Sequence, residues 1–342
     1  MVVQYMNQKP ESLDSRVSNR DSSIDILRAI AFIGIVSVHM DPSDFILQLR
    51  SFDVPMMVFI SGVVCQKTYK HSYVSYVFKR FVRIILPTWI FLVLYYWVIM
   101  HFSVVSTISQ LSLMTGWYVW IMRVFFIIAL FAPLLNIVLN KISVVKYFAL
   151  LSVFLIVNEV ICRQTWVQGT NADTNVIIVM NLAYLLVFSF GYMINCMSKK
   201  NILSVFFVML LLYGFIAVEL WFKNGYYVLS NVVKYPPRIY YLSYALVWIC
   251  TLWLLRGHLY SLSYRLNLTG FFAFIGSHTM WMYFWHIIVL HYCGTIENPF
   301  HLFIVVFVTT LLITYVQHMI VMFIVSHIPI HTGKYLRVVF DG

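Results

Sequence analysis

The sequence predicts an all-α bundle of about ten membrane-spanning helices with both termini on the cytoplasmic side, and three observations predict it. First, 62% of the 342 residues are hydrophobic and only 10% are charged, against about 45–50% and 25% in a soluble domain. Such a chain cannot cover itself with polar surface and belongs in a bilayer. Second, apolar runs of spanning length recur near 24–40, 54–68, 84–103, 117–139, 147–162, 175–197, 201–222, 239–255, 271–293 and 302–327. Third, with the N-terminus inside, sixteen Lys and Arg fall in the inner connections and five (Arg50, Arg163, Lys223, Lys234, Arg238) in the outer ones. That asymmetry orients the bundle. The net charge of +11 does not signal nucleic acid, because the cations sit in short clusters between apolar runs.

Taken in order, residues 1–22 read as a polar cytoplasmic tail, 23–328 as the membrane domain and 329–342 as a short cytoplasmic tail. The first run lacks a small-residue cleavage site and carries Arg28 and His39, so it reads as a retained span rather than a signal peptide. The 54–68 and 147–162 runs are the shortest. No span repeats another at a fixed period, and no inverted symmetry of the kind found in many transporters is visible. Cys65, Cys162, Cys196, Cys250 and Cys293 lie mostly in apolar runs without a CxxC, as small buried hydrophobes do. Only about fifteen residues follow the last span, so chemistry is expected within the bundle or at its rim.

Charged groups inside spans are expensive and mark functional sites. On a helix from Ile24 to Met40, the eleven positions between Arg28 and His39 are about three turns, so both share one face roughly 16 Å apart. The pair would line a polar track from one membrane face toward the other. His39 reads either as a structural histidine bonded to a neighbouring helix or as a general base or acyl-carrying nucleophile. Arg28 reads as a snorkelling side chain, a partner of Asp25, or part of the track. Arg80 and Arg83, one turn apart at the inner start of the third span, suit phosphate groups and equally suit a positive-inside anchor.

Ser61, in FISG at Phe59–Gly62, sits where small residues permit close helix packing or leave room for a narrow cofactor arm. Asp41, Asp44, Asp53, Arg123, Glu159 and Arg238 recur on the outer side, with Glu159 and Asp41 as candidate partners for Arg123. Tyr240 lies in YPPRIYYLSY (Tyr235–Tyr244), whose aromatic faces suit sugar rings but also occur as interfacial belts. His286 and His291 are five apart without acidic or cysteine companions, so no metal site is expected of them.

In order, these residues resemble the membrane-bound acyltransferase 3 family. The resemblance rests on Arg28-x10-His39, FISG, Arg80-x-x-Arg83 followed by Pro87, WYVWIMRVFFIIALFAPLL from Trp117, and MYFWH ending at His286. It extends from about residue 21 to the last span. FDVPMMVFISG and KYPPRIYYLSY look closer to the fucose 4-O-acetylase-like and polysaccharide O-acetyltransferase branch.

The resemblance implies transfer of an acyl group, usually acetyl, from cytoplasmic acyl-CoA to a sugar of a surface glycan. Arg28 and His39 match the family's essential pair, and Arg80 and Arg83 its inner arginine motif. Some members carry an acidic residue eleven positions after the histidine. Here that position is Arg50, leaving Asp41, Asp44 or Asp53 to orient the histidine. The implied partners are acetyl-CoA or another acyl-CoA, a carbohydrate or lipid-linked glycan acceptor, and membrane lipids, in a bacterial inner membrane. No metal is expected. A flippase for lipid-linked glycan precursors is the rival reading.

Overall fold

The computed structural model describes residues 21–68, 72–101, 103–105, 108, 111, 118–164 and 173–341. Of the sequence readings, residues 1–20 and Trp117 lie outside these. The described residues are almost entirely helical.

The first helix, α1, is Ser22–Ser37, begun by Asp21, whose carboxylate accepts from the Ser23 N–H, and it ends in a 3-10 turn, Val38–Met40. Next come α2 (Asp44–Arg50) and α3 (Asp53–Thr68). The third span is built from α4 (Tyr73–Arg80), a π-helical turn (Phe81–Ile85), α5 (Leu86–Leu92) and a second π-helical stretch (Val93–Ile99). Pro87, lacking an N–H, cannot bond back to the carbonyl of Arg83, and the wider π turn falls at this place.

The chain continues through α6 (Trp120–Leu139), α7 (Val144–Cys162), α8 (Thr174–Met193), α9 (Lys199–Asn224) and α10 (Ile239–Arg265). It closes with α11 (Thr269–Cys293), α12 (Pro299–Ser326) and α13 (Ile330–Phe340).

Each of the ten apolar runs coincides with a long helix or, in the second and third spans, with helices laid end to end. Among the described residues, nine stretches are long and apolar enough to cross a membrane. The short second run gains length because α2 leads into α3, giving Asp44–Gln66. The ninth run, α11, is 25 residues long but is not among the nine, and it carries His278, His286 and His291. It is also broken at His278 (φ −108°, ψ 16°).

The most deeply placed span is Thr174–Cys196, with 78% of its apolar window buried, whereas Lys199–Asn224 on the outside has 17%. Two glycines make the central contact between α3 and α8. A Cβ on Gly62 would lie 2.1 Å from the Phe188 carbonyl oxygen, and one on Gly191 1.9 Å from that of Phe59. Backbone therefore touches backbone, as small residues permit in membrane bundles. A similar approach occurs at Gly276, where a Cβ would meet the Asp25 carbonyl oxygen at 2.5 Å, bringing α11 onto α1.

The basic clusters collect at one end of the bundle. Asp21 shares that end with Lys79, Arg80, Arg83 and Lys334 on one side and with Lys199 and Arg256 on another. We call it the terminal end, since the described chain both starts and finishes there. The segment after the last span, read from sequence as a tail, is the helix α13, packed against α12.

Candidate active site

A cavity of about 1160 Å³ enters the bundle from the terminal end. At its mouth stand Arg28, Lys79, Arg80, Arg83 and Lys334, five cations, with Asp21 and Asp25 as the carboxylates. Arg28 donates to Asp25 across one turn of α1 (Nη1–Oδ1 3.1 Å), the pairing considered from sequence, and still faces the cavity. The Arg80 guanidinium lies over the Tyr76 ring at 5.1 Å, a cation–π contact. This is strong positive potential in a concave space, a setting that recruits phosphate groups.

Ser61 also lines the cavity, its hydroxyl bonded back to the Met57 carbonyl (3.0 Å). Its neighbour Gly62 opens no room for a ligand, because α8 fills the space. Further in, the walls become apolar: Phe32, Ile35, Met57, Ile121, Met122 and Phe125. The polar track expected between Arg28 and His39 is thus an apolar passage with a cationic mouth. Its deep end is reached at Ile35 and Tyr283.

His39 stands one turn of chain beyond Ile35. The α-helix has already ended at Ser37, so His39 belongs to the 3-10 turn rather than to a continuous helix face. Its ring is half-buried and lies 5.2 Å from the ring of His286 and 5.8 Å from that of Tyr118. His286, fully buried, touches Tyr283 (5.0 Å) and Phe32 (6.4 Å), two residues that line the cavity. The Tyr283 hydroxyl donates to the Tyr118 carbonyl. One aromatic layer, His286, Tyr283 and Phe32, therefore joins the cavity to His39. Neither nitrogen of His286 has a hydrogen-bond partner of good geometry.

Beyond His39 lies a buried charge cluster. Arg50 pairs with Asp53 at 3.0 Å, both nearly sealed from solvent. Gly34 makes room for them: a Cβ there would lie 3.1 Å from that of Asp53 and 3.5 Å from that of Arg50. Asp53 also accepts from the Val54 N–H (2.6 Å). Arg50 keeps Nε and Nη1 unbonded. Lys234, buried, lies over the rings of Trp120 (5.5 Å) and Tyr235 (5.4 Å). Burial pulls the Lys234 ammonium down to about 8, opposed by Asp53 and reinforced by Arg50. His39 interacts electrostatically with Arg50, Lys234 and Asp53. Tyr118 and Trp120, two positions apart, connect this cluster to the imidazoles.

Of the acidic residues proposed to orient His39, only Asp53 is in this cluster. Asp41 and Asp44 are exposed, Asp41 in a left-handed conformation (φ 48°) that ends the first span. Glu159 holds the start of α10: it accepts from Arg238 (2.7 Å), Arg163 (2.8 Å) and the Ile239 N–H (2.9 Å). Glu159 and Arg238 are thus engaged in joining α7 to α10. Arg123 is buried on α6, beside the cavity-lining Met122. Tyr240 donates to the Val228 carbonyl (2.8 Å) and stacks on Tyr213, structural roles both.

Sequence reasoning missed Lys234, Tyr118 and Tyr283 as neighbours of the histidine, and Lys79 and Lys334 as members of the cationic mouth. It treated Arg50 as an outer-loop cation and as a departure from a motif. The absence of a soluble side chain of opposite charge near Lys234 in sequence gave no signal, because Asp53 lies 181 positions earlier.

The helical bundle thus holds a cation-mouthed cavity with apolar walls, with His39 behind the aromatic layer beside it. The model of the acyltransferase domain of the acyltransferase 3 family matches residues 21–327, and the chain belongs to that family. No curated protein and no solved structure matches it.

Proposed function

We propose that the chain moves an acyl group, acetyl by preference, from acyl-CoA to a hydroxyl of a surface-glycan sugar. The observation that carries this reading is the cavity itself: cations at its mouth, apolar walls behind, and the His286–Tyr283 layer against His39 at its deep end. The phosphates of CoA meet Arg28, Arg80 and Arg83, with Lys79 and Lys334 adding charge. The pantetheine arm follows the apolar walls past Ser61, and the thioester arrives beside His39. We read the terminal end as cytoplasmic because basic residues sort to it, and the membrane as a bacterial inner membrane.

The acceptor, a carbohydrate or lipid-linked glycan, enters from the opposite end. His39 takes the proton of its hydroxyl as the oxygen attacks the thioester carbonyl. The carbon–sulfur bond breaks, the thiolate recovers the proton, and the products are the O-acyl sugar and CoA. A relay through an acyl-imidazole gives the same balance in two steps. Arg50 and Lys234 supply positive potential near the carbonyl oxygen as it gains charge. Asp53 holds Arg50 in place.

Two measurements test this. Radiolabelled acetyl-CoA should bind the purified protein and be displaced by CoA; no binding would return the flippase reading. Comparing the surface polysaccharide with and without the gene should show loss of one O-acetyl signal, and unchanged acylation would exclude the proposed activity.

A further inference from the structure

We propose that His278, His318 and Asp341 form a divalent transition-metal site, suited to Zn²⁺, that clamps the last helix over the cationic cavity. His278 Nε2 lies 3.0 Å from Asp341 Oδ1 and 3.3 Å from His318 Nδ1, and His318 Nδ1 lies 2.5 Å from the same Asp341 oxygen. Among the described residues this is the one group of three such side chains whose ligand atoms converge. They come from three elements, α11, α12 and the residue after α13. His278 and Asp341 are buried.

The hydrogen-bond pattern around His278 prepares it as a ligand. Its Nδ1 is 2.7 Å from the Phe274 carbonyl oxygen, which can only accept, so Nδ1 carries the proton and donates. The nearby Ser277 hydroxyl is satisfied by the Ala273 carbonyl (2.7 Å). With Nδ1 on that carbonyl, Nε2 is the nitrogen that faces the Asp341 carboxylate oxygen at 3.0 Å, where a shared cation can lie between them. Fixing one imidazole nitrogen on a carbonyl so that the other binds metal is the usual outer arrangement of a histidine ligand. The second carboxylate oxygen of Asp341 is held by Arg337 Nε (3.3 Å). The break in α11 falls at His278, turning that ring off the regular helix line.

Two imidazoles and one carboxylate favour zinc over the harder calcium or magnesium, and leave one position for water. Donors bound to zinc at about 2.0–2.1 Å in tetrahedral order lie roughly 3.3 Å apart. Two of the three separations are already close to that, and only the His318–Asp341 contact must open, by less than about 1 Å.

The consequence is mechanical. The end of the chain is strapped to α11 and α12: Trp281 Nε1–H donates to the Val339 carbonyl (2.8 Å), Gln317 Nε2–H to that of Phe340 (2.5 Å), and the Phe340 ring stacks on Trp281. Just upstream, His331, Lys334, Tyr335 and Val338 of α13 form one wall of the cavity. Metal at the clamp fixes that wall.

The test uses the full chain in detergent, stripped with EDTA, loaded with ZnCl₂, desalted and assayed by mass spectrometry. It should hold about one zinc per chain, and Co²⁺ loading should give the visible bands of a low-coordinate nitrogen–oxygen site. Asp341→Asn, isosteric but a poor ligand, should weaken zinc binding about tenfold or more. Zinc should also slow tryptic cleavage after Lys334 and Arg337 in the wild-type chain. Substoichiometric zinc in the wild-type protein, or equal zinc in a His318→Ala/Asp341→Asn double variant, would overturn the assignment and leave a proton-held triad. Should the variants misfold, the wild-type stoichiometry, cobalt spectrum and protease protection still decide.

Discussion

His39 and Lys234 are the residues whose replacement is most informative. His39→Ala should reduce acyl transfer to background while the protein still elutes as a single species from a sizing column; retained turnover would remove the imidazole from the mechanism. Arg80→Gln should raise the KM for acyl-CoA about tenfold with little change in kcat, as expected for a group that holds phosphate rather than reacts. Lys234 makes a pH prediction with a definite sign. Its folded pKa of about 8 lies below the unfolded value of about 10.4. Below pH 8 both states hold the proton and the burial penalty is complete. Between those values the unfolded chain binds more protons, so stability rises with pH, by up to about 3 kcal/mol in total. The melting temperature should climb from pH 7.5 to 9.5, and Lys234→Met should flatten that climb while raising stability at pH 7. Arg28, Arg80, Arg83 and Ser61 could be picked out from sequence because each is a polar departure from an apolar pattern, and the structure places all four on one cavity. Lys234 and Arg50 could not, because each reads as an ordinary outer-loop cation until the fold buries it beside Asp53.

Among the elements, the long apolar runs were readable because a spanning helix must satisfy its backbone within itself and show apolar side chains to lipid. What was not readable is how the runs are interrupted. The first helix yields to a 3-10 turn two residues before His39, which moves the ring off the face shared with Arg28. The eleven-residue α13 looked like a tail because a short segment with Gly333, Lys334 and Arg337 lacks the length of a span. The contact between α3 and α8 brings backbone onto backbone at Gly62 and Gly191, and Gly62→Ala tests it directly. Its new Cβ would meet backbone rather than a flexible side chain, so a loss of about 1–3 kcal/mol is expected. That loss should be read as a lower melting temperature, whereas the same change at Gly214, which has open space around it, should be close to neutral.

For the molecule as a whole, the proposed function has the two reactants approach from opposite ends. In proteoliposomes of known orientation, acetyl-CoA, which does not cross lipid, should support transfer only when supplied on the side bearing Lys334. Transfer from the other side would reverse the proposed topology. The class of fold followed from composition alone, since it depends on properties summed over many residues. The meeting of Tyr118, Lys234 and His286 around His39 depends on residues about 80 to 250 positions apart in the chain, which no local pattern encodes.

The layer of Phe32, Tyr283 and His286 lies between the cationic cavity and His39. A bundle with a water-filled bore would let protons run down the membrane potential each time it opened. Under the proposed function, this one-ring layer is where a two-carbon group would be handed over while proton leakage is kept low.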